Sequence, residues 1–416
     1  MNHAQYLHYD DPDCTCFTAL VQETIDLPDG RMGVVLDRTY FYATGGGQEH
    51  DTGALGAARV VDVFKDETRG VIVHVLTEST PASELPAGKI TGQIDAERRM
   101  RHRQHHSAQH LLTQCFIRLF GLETLSANIN GTSPSTLDVP FTSLSKDDLD
   151  RAESLANQII YENRAIKSYL VTPEALSKLP LRKAPKVSAD IRIVEIEGCD
   201  YSACGGTHVY QTGQIGLLKV VKTERQNDRL RVHFIAGWQA LQTFRAYFEA
   251  LNNLANQMSA APFDVPGLVA RQSEQLQAIQ KELQALRLEQ IGGEARRLAA
   301  NATSLDGQRL AVVGFENRPP LELRALADGL KAEAGLIAVL TSFDGQKLSV
   351  LVTCAADTGL SAADLLRSLL VPLNGRGGGS PQMAQGGGPA APEQQRVFHE
   401  TLQAHVTGWL QRTAGQ

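Results

Sequence analysis

Two short stretches of the chain carry side chains that together could bind a metal ion. His106-Ser-Ala-Gln-His110 places two histidines four residues apart, a spacing that puts both imidazoles on one face of a helix. Cys204-Gly-Gly-Thr-His208 contains two glycines, which favour a tight turn that brings thiol and imidazole together. Three imidazoles and a thiolate are ligands that zinc accepts in tetrahedral geometry. We therefore predict one zinc site with these four side chains as ligands.

Either motif alone would be a weak signal, because short metal-ligand spacings often occur by coincidence. The two motifs together favour a metal site. A metalloprotease of the His-Glu-x-x-His type has its general base directly after the first histidine. Ser107 occupies that position here, so the protease interpretation is excluded.

The composition limits the class of protein. At 416 residues the chain suggests about two to four domains. The net charge of −6 means that nucleic-acid binding would depend on local basic clusters. Six cysteines are too few for a disulfide scaffold in a chain of this size. The sequence has no membrane-spanning apolar run and no apolar secretory signal, so we expect a soluble cytoplasmic protein.

The first 90 residues are predicted to be β structure that forms a small barrel or sandwich. Short apolar runs bounded by glycine, proline and aspartate indicate strands at 33–37, 58–64 and 70–76. Between the first two runs lies a glycine-rich stretch, residues 40–53, in which three consecutive glycines let the backbone approach a ligand closely. Its polar residues favour a binding loop over an ordinary flexible loop. They are Thr44, Gln48 and Asp51.

The elements that position the two metal motifs follow. Residues 95–118 are predicted to form a helix opened by an acidic residue, and four arginines lie near its beginning. Such a charge run is either a solvated face or, beside a metal site, a set of phosphate contacts. Of these arginines, Arg99 and Arg103 are the candidate contacts, while His102 and His105 are expected to be surface residues of this basic helix. A second helix is predicted at 147–164, a strand at 190–197, and paired strands at 215–221 and 230–236.

The second half of the chain predicts a helical segment and then an α/β segment. Helical periodicity runs from 238 to 258, is broken by prolines at 262 and 266, and resumes with apolar residues at heptad spacing. This pattern fits a helical arm or a coiled coil between two subunits, and we favour the arm. The predicted fold class is α+β, and the domains are 1–90, 91–237, 238–303 and 304–416.

Three motifs, in this order, resemble one known family. They are Phe41-Tyr-Ala-Thr-Gly-Gly-Gly-Gln-Glu-His-Asp-Thr-Gly53, His106-Ser-Ala-Gln-His-Leu-Leu112 and Cys204-Gly-Gly-Thr-His-Val209. The set is similar to the editing domain of alanyl-tRNA synthetases and to the free-standing AlaX-type editing proteins. Residues 375–388 would be a linker by composition alone, yet they resemble the glycine-rich signature of the C-terminal domain of those synthetases. Family members often have arginine where Ser380 stands, which weakens the expected phosphate contact there.

The resemblance implies a long-form AlaX-type protein, α+β in fold, that binds one zinc ion per chain. It implies hydrolysis of the ester that joins a wrong amino acid, chiefly serine and secondarily glycine, to alanine tRNA. Thr44 would lie near the seryl hydroxyl, and Gln48 would hold the amino acid or the terminal adenosine. Arg376 and Gln385 would contact tRNA, and the C-terminal region would pair two copies. The resemblance to synthetases also implies nucleotide binding and ATP binding. Since the chain begins at the glycine-rich barrel, we expect it to deacylate tRNA but not to charge it.

Two alternatives remain open. The chain could be a non-catalytic tRNA-binding module in which zinc stabilises the fold, or an editor of a different mischarged tRNA. A site filled by four protein ligands is usually structural, whereas a catalytic site keeps one position open. The sequence does not decide whether His106, His110, Cys204 and His208 bind at the same time.

Overall fold

A computed structural model describes residues 6–77, 88–140, 144–176, 179–182, 191–305 and 307–414. The chain forms two compact units, Met1–Gln257 and Met258–Gln416. The finer predicted division into four domains stays a prediction. The mixed α+β class is confirmed, because each unit contains both sheets and helices.

The first unit begins with a closed barrel of six antiparallel strands, joined in the order β1-β2-β5-β4-β3-β6. Its interior is filled by aliphatic and aromatic side chains, among them Val34, Phe41, Leu55 and Val60. The predicted β structure is thus a barrel, and its sixth strand extends beyond residue 90. The strands are β1 Cys16–Asp26, β2 Met32–Leu36, β3 Gly53–Leu55, β4 Ala58–Asp66, β5 Val71–Leu76 and β6 Lys89–Ile94.

Helix α1, Ala96–Phe120, follows the barrel directly and carries the first histidine pair. The side chain of Asp95 caps its beginning by accepting the backbone N–H of Arg98, and Gly121 ends it in the left-handed region at φ 67°. Every residue from 102 to 113 is buried, although many of them are polar. A helix of this composition can be buried only if its polar groups find hydrogen-bond partners.

The remaining elements of the first unit surround α1 with two antiparallel sheets, in the orders β11-β10-β9 and β12-β13-β8-β7. The core between α1 and the sheets is apolar and includes Leu111, Leu112, Val194 and Phe234. The predicted helix after residue 147 begins at a capping box between Ser145 and Asp148. The elements are β7 Ser126–Asn128, β8 Ser135–Pro140, α2 Lys146–Tyr161, β9 Ile166–Val171, α3 Pro173–Leu176, β10 Ile191–Ile196, β11 Asp200–Ala203, β12 Leu218–Gln226, β13 Arg229–Ala236 and α4 Gly237–Gln257.

The second unit contains a long helix and a six-stranded sheet in the order β14-β15-β16-β17-β19-β18. Strands β15 and β16 are parallel, and the other neighbouring strands are antiparallel. The elements are α5 Val265–Ala300, β14 Thr303–Leu305, β15 Gln308–Glu316, α6 Pro320–Lys331, β16 Leu336–Phe343, β17 Lys347–Cys354, α7 Ala362–Leu370, β18 Arg376–Gly379, β19 Met383–Pro389 and α8 Pro392–Ala414.

Two features of the second unit differ from what periodicity or composition alone indicates. Pro266 does not interrupt a helix; it lies in the first turn of α5, where its missing N–H costs nothing. The glycine-rich stretch 375–388 is not a linker, because β18 and β19 pair with each other and β19 pairs with β17. A Cβ on Gly387 would lie 2.5 Å from the carbonyl oxygen of Leu348, so close strand packing accounts for that glycine.

The heptad side chains of α5 are exposed within the second unit. Leu276, Ile279, Leu283 and Leu286 are each about half exposed. Whether they form an arm or a subunit contact stays a prediction. Among the helices of the described residues, none combines the length and apolar character that a membrane span requires.

A buried ion pair joins α1 to the glycine-rich stretch of the barrel. Arg99 Nε lies 3.1 Å from both carboxylate oxygens of Asp51, and neither side chain is exposed by more than 1%. Arg99 also donates to the carbonyls of Pro12 and Tyr40, while Asp51 accepts the backbone N–H of Tyr42. Each charge therefore has several partners, which a buried charge requires.

We expect Asp51→Ala to destabilise the protein by about 3–5 kcal/mol, because it leaves a buried guanidinium without its counter-charge. Asp29→Ala is the matched control, since Asp29 pairs with Arg31 at the surface. Urea unfolding followed by circular dichroism measures both variants. Equal unfolding midpoints for the two variants would show that the buried pair does not hold the barrel to α1.

Candidate metal centre

The four predicted ligands converge at one point in the first unit. His106 and His110 come from α1, while Cys204 and His208 come from the turn that follows β11. One donor atom from each lies within 4.8 Å of the others. Cys204 Sγ is 3.4 Å from His106 Nε2 and 3.4 Å from His208 Nε2. The fold therefore brings together the four residues that the motif spacing identified.

Each imidazole is oriented by a hydrogen bond at its Nδ1 atom. His106 Nδ1 lies 2.8 Å from Gln48 Oε1, His110 Nδ1 lies 2.8 Å from Asp200 Oδ2, and His208 Nδ1 lies 3.1 Å from Ser107 Oγ. An amide oxygen and a carboxylate can only accept, so His106 and His110 carry their proton on Nδ1. Their Nε2 atoms are then free to face the thiol, an arrangement typical of histidines that bind metals.

Gln48 is hydrogen-bonded within the cluster, and its expected contact with a substrate stays a prediction. Its Oε1 accepts from His106 and from the backbone N–H of Thr207 at 3.1 Å, and its Nε2 donates to Thr207 Oγ1 at 3.0 Å. The side chain is buried. Gln48 therefore holds an imidazole and the cysteine turn in place, and these bonds occupy the amide that was expected to hold the substrate.

Two glycines allow the segments to approach. A Cβ on Gly206 would lie 2.1 Å from His106 Cε1, so the turn can pass the imidazole only without a side chain. A Cβ on Gly47 would lie 2.4 Å from the carbonyl oxygen of Ala127, and Gly47 has φ +85°. The Gly47 carbonyl accepts the N–H of Ile129 at 2.6 Å, which fixes the glycine-rich loop against β7.

Arg192 holds the cysteine turn from β10. Its Nη1 donates to the carbonyls of Cys204 at 2.9 Å and Gly206 at 2.8 Å, and its Nη2 donates to Ser168 Oγ at 2.9 Å. The guanidinium lies 4.8 Å from the centroid of the Tyr9 ring. Arg192 therefore fixes the backbone on both sides of Gly205, at Cys204 and at Gly206.

The electrostatics of the cluster favour its ligand forms. Burial, followed by the charges of Arg192 and Arg182, lowers the pKa of His106 to about 3. Burial also lowers the pKa of His208 well below its ordinary value. Burial raises the pKa of Cys204, but its hydrogen bond with His110 and other nearby groups outweigh this effect and lower it overall. Neutral imidazoles and a thiol that ionises readily are the forms that bind transition metals.

The carboxylate of Asp200, which accepts from His110, also favours metal binding. Burial raises the pKa of Asp200, but the bond to His110 and the bond from Gln114 help to lower it to about 2. Ser202 donates a further hydrogen bond to the same carboxylate. Asp200 is therefore an anion behind the imidazole, which strengthens the imidazole as a ligand. The three nitrogens and one sulfur fit a transition metal of the zinc type.

Thr44 lies on the exposed side of the glycine-rich loop. Its Oγ1 is 3.1 Å from His50 Nδ1, and its N–H donates to the carbonyl of Val63 at 3.0 Å. His50 Nε2 in turn lies 3.0 Å from the carbonyl of Val61. These bonds join Thr44 to β4 of the barrel and not to a cluster residue, so its role toward a substrate stays a prediction.

The predicted phosphate contacts of α1 are wrong. Arg99 and Arg103 are both 1% exposed. Arg99 is held by Asp51, and Arg103 donates to the carbonyl of His208 at 2.8 Å and pairs with Asp13. Because these guanidinium groups are buried and bonded within the protein, they position the cluster and do not face a tRNA backbone.

The interpretation of His102 and His105 as surface residues is also wrong. Both side chains are buried. His105 Nδ1 lies 2.7 Å from Ser135 Oγ and its Nε2 lies 3.3 Å from the N–H of Ala236, so it joins α1 to two strands. Neither His102 nitrogen has a hydrogen-bond partner among the described residues.

Sequence reasoning missed Asp200 and Arg192, and it used Ser107 only to exclude a protease. The sequence did contain a signal for Asp200 and for Arg192. Asp200 stands four residues before Cys204, and a carboxylate near a histidine ligand is common in metal sites. Arg192 stands among the aliphatic residues of a buried strand, a position that requires a hydrogen-bonded partner.

Arg376 and Gln385 lie in the second unit, on the paired strands β18 and β19. Both side chains are exposed. Gln385 is the cross-strand neighbour of Gly378, and Arg376 is the neighbour of Gly387. They are therefore available to a partner, and their contact with tRNA stays a prediction.

We expect Gly206→Ala to reduce metal affinity by at least about tenfold, because the new methyl group would push His106 away from Cys204. Gly205→Ala is the matched control, since a Cβ there meets only the movable hydroxyl of Tyr9 at 3.0 Å. Titration of metal-free protein with Co²⁺ reports thiolate and imidazole coordination by its absorption. Equal affinities for the two variants would contradict the requirement for glycine at 206.

Comparison with known proteins finds family models that match three segments of the chain. Residues 8–98 match the model of class II (A) tRNA synthetases, residues 191–231 match the second additional domain of threonyl and alanyl tRNA synthetases, and residues 307–407 match the DHHA1 domain. The crystallised C-Ala domain of Aquifex aeolicus alanyl-tRNA synthetase is 26% identical over 26% of the chain and 98% of that domain. Its TM-score is 0.24, so it does not bear on the fold.

Curated relatives extend over nearly the whole chain. Alanine–tRNA ligase of Methanosarcina acetivorans is 33% identical over 91% of this chain and 42% of the ligase. That of Natronomonas pharaonis is 32% identical over 92% of this chain and 42% of the ligase. The chain thus spans less than half the length of these relatives. The three matched segments and this extended identity support the interpretation of the chain as an AlaX-like protein similar to alanyl-tRNA synthetases.

Proposed function

We propose that the protein hydrolyses the ester of mischarged alanine tRNA, removing serine and sparing alanine. The observation that carries this proposal is the bond between Gln48 of the glycine-rich loop and His106 of the metal cluster. This bond joins the glycine-rich loop, whose composition favours ligand binding, to the four donors that could hold a Lewis-acidic metal ion. The curated relatives are alanine–tRNA ligases, which supports alanine tRNA as the substrate carrier.

The reaction is a hydrolysis. Water adds to the acyl carbon, the bond between that carbon and the ribose oxygen breaks, and serine and free tRNA leave. A zinc ion held by the four donors would supply Lewis acidity at the ester. The residues around it hold the imidazoles neutral and the cysteine turn in position. Ester hydrolysis needs no nucleotide, so the proposal leaves out the ATP binding that the resemblance attached.

Selectivity is assigned to Thr44. Its hydroxyl is exposed on the same loop as Gln48, and His50 fixes its orientation. A site that hydrogen-bonds a hydroxyl rejects a substrate without it, because its polar groups then go unpaired. Serine and alanine differ by one hydroxyl, so a threonine at this position can separate them. Glycine lacks that hydroxyl too, and it would be removed less efficiently.

A non-catalytic module with a structural metal is the second candidate. The observation that favours it is the number of donors, since four protein ligands fill a tetrahedral metal. The two functions differ in what metal removal does. A structural metal is needed for folding alone, whereas the proposed hydrolase loses ester cleavage while its fold persists.

The second unit is proposed to hold the tRNA. Arg376 presents an exposed positive charge on a strand edge, and Gln385 lies on the neighbouring strand. A guanidinium there can bind a phosphate and release its counter-ion. Pairing of two chains through this unit, as the resemblance implies, remains part of the proposal.

A deacylation panel tests the main proposal. We expect seryl-tRNA(Ala) to lose its serine, glycyl-tRNA(Ala) to react more slowly, and alanyl-tRNA(Ala) to survive. Thr44→Val should lower the rate with seryl-tRNA about 10–100-fold and leave bound zinc unchanged, because it removes one hydrogen bond to the substrate hydroxyl. Thr68→Val, in an exposed barrel turn, is the control.

The outcomes of the panel separate the candidates. Survival of every aminoacyl-tRNA with zinc bound would reject the hydrolase and leave the structural-metal module. Loss of an amino acid from a different tRNA only would assign another editing specificity. Equal rates for Thr44→Val and Thr68→Val would remove Thr44 from selectivity.

The tRNA contact is tested by salt dependence. We expect Arg376→Ala to weaken tRNA binding several-fold and to reduce the slope of log affinity against log salt by about 1. Gln385→Ala should weaken binding without changing the slope, because the amide is neutral. Arg367→Ala is the control, since Arg367 is exposed but paired with Asp364. Filter binding at several salt concentrations measures all three, and an unchanged slope for Arg376→Ala would exclude a phosphate contact.

A further inference from the structure

The imidazole of His50 lies between two partners that differ in hydrogen-bonding capacity. Its Nε2 is 3.0 Å from the carbonyl oxygen of Val61, and its Nδ1 is 3.1 Å from Thr44 Oγ1. Because a carbonyl oxygen can only accept, Nε2 carries a proton in both charge states of the ring. The protonation of Nδ1 then decides which group donates in the bond between His50 and Thr44.

The neutral ring fixes the direction of the Thr44 hydroxyl. With its proton on Nε2, the ring presents a lone pair at Nδ1, so Thr44 donates its hydroxyl proton there. Thr44 Oγ1 then acts only as an acceptor toward any other group. The side chain is exposed, so this oxygen is accessible to a ligand.

A second proton on the ring reverses this bond. The Nδ1–H group then faces two oxygens, Thr44 Oγ1 at 3.1 Å and Asp62 Oδ1 at 3.0 Å. Thr44 accepts in this state and keeps its own proton, which is free to turn toward other partners. Histidine is the side chain that ordinarily changes its charge between about pH 5 and 8. The charged and titratable groups near His50 are Asp62 of β4, Glu49 of the loop, and Arg98 and His102 of α1.

The direction of the Thr44 hydroxyl bears on which amino acid it selects. A substrate group meets a fixed acceptor only by donating a proton of its own. The serine side chain ends in an O–H group that can donate, whereas glycine and alanine have no donor there. An acceptor held toward the substrate is therefore left unpaired beside glycine or alanine, and this unpaired oxygen disfavours them.

We propose that His50 is a positioning residue for serine selectivity, because its neutral ring holds the Thr44 hydroxyl as an acceptor for an amino acid with a side-chain O–H. This inference rests on the proposed function for the identity of the substrate. Protonation of His50 releases the Thr44 hydroxyl from this orientation and weakens the selectivity.

The first experiment measures kcat/KM of the full zinc-loaded chain with seryl-tRNA(Ala) and glycyl-tRNA(Ala) at about pH 5.5 and about pH 8. The ratio of the two values cancels the pH dependence of ester cleavage, which both substrates share. We expect the wild-type ratio to be several-fold higher at the higher pH, which corresponds to about one hydrogen bond. His50→Gln should give a ratio that does not change with pH, because a carboxamide does not titrate in this range.

His233→Gln is the matched control for this experiment. His233 Nε2 lies 3.2 Å from Glu224 Oε2 in a sheet outside the barrel, so its replacement should keep the wild-type pH profile. A wild-type ratio that is the same at both pH values overturns the inference, even if the chain removes serine. The same pH dependence in His50→Gln as in the wild type also overturns it.

The second experiment does not require deacylation. Long-range ¹H–¹⁵N spectra of the full chain labelled with ¹⁵N-histidine locate the ring protons, and His50→Gln assigns the His50 signals. At about pH 8 we expect the proton on Nε2 and a change of the Nδ1 signal in Thr44→Val but not in Thr68→Val. A neutral ring with its proton on Nδ1, or an Nδ1 signal that ignores Thr44→Val, overturns the inference. The expected signals in a chain that deacylates no tRNA support the orientation of Thr44 by His50, while the hydrolase proposal falls.

Discussion

The carboxamide of Gln48 is the group on which the geometry of the candidate metal centre depends. It lies in the glycine-rich loop, and it bonds both to an imidazole of α1 and to the backbone of the cysteine turn. Since the carboxamide is buried, leaving these partners unpaired would cost the full desolvation of each group. Three segments that are distant in sequence are therefore fixed relative to one another by a single side chain.

This constraint explains why small residues and buried charges surround the centre. The loop and the turn approach other atoms so closely that Gly47 and Gly206 have no space for a Cβ. Arg99 and Arg192 then hold the backbone of the same two segments through carbonyl and carboxylate bonds. Buried ion pairs contribute little net stability compared with apolar packing, but losing one partner costs about 3–5 kcal/mol. Their contribution here is to geometry.

The sequence predicted those features whose signal is local. Ligand spacing identified the four donors, and alternating or helical periodicity located the barrel strands and α1. It misjudged Arg99, Arg103 and His102 because composition assigns charged residues to the surface, whereas their burial depends on partners distant in the chain, such as Asp51 for Arg99. Composition alone indicated a linker at 375–388 for the same reason. The strands there form through pairing with β17, which is distant from them in composition-based windows.

The three imidazoles of the cluster are oriented by chemically different partners. His110 is backed by an ionised carboxylate, His106 by a neutral amide, and His208 by a hydroxyl at the longest of the three distances. Of the three partners the carboxylate is the charged one, so the hydrogen bond at His110 Nδ1 is charge-assisted. Ser107 Oγ also accepts the N–H of Val209, so the hydroxyl behind His208 is shared. Arg192 also joins the turn that carries Cys204 and His208 to a cavity lined by Tyr9 and Tyr169. The charged support thus lies behind His110 of α1, whereas His208 of the turn shares its hydroxyl partner with a backbone N–H.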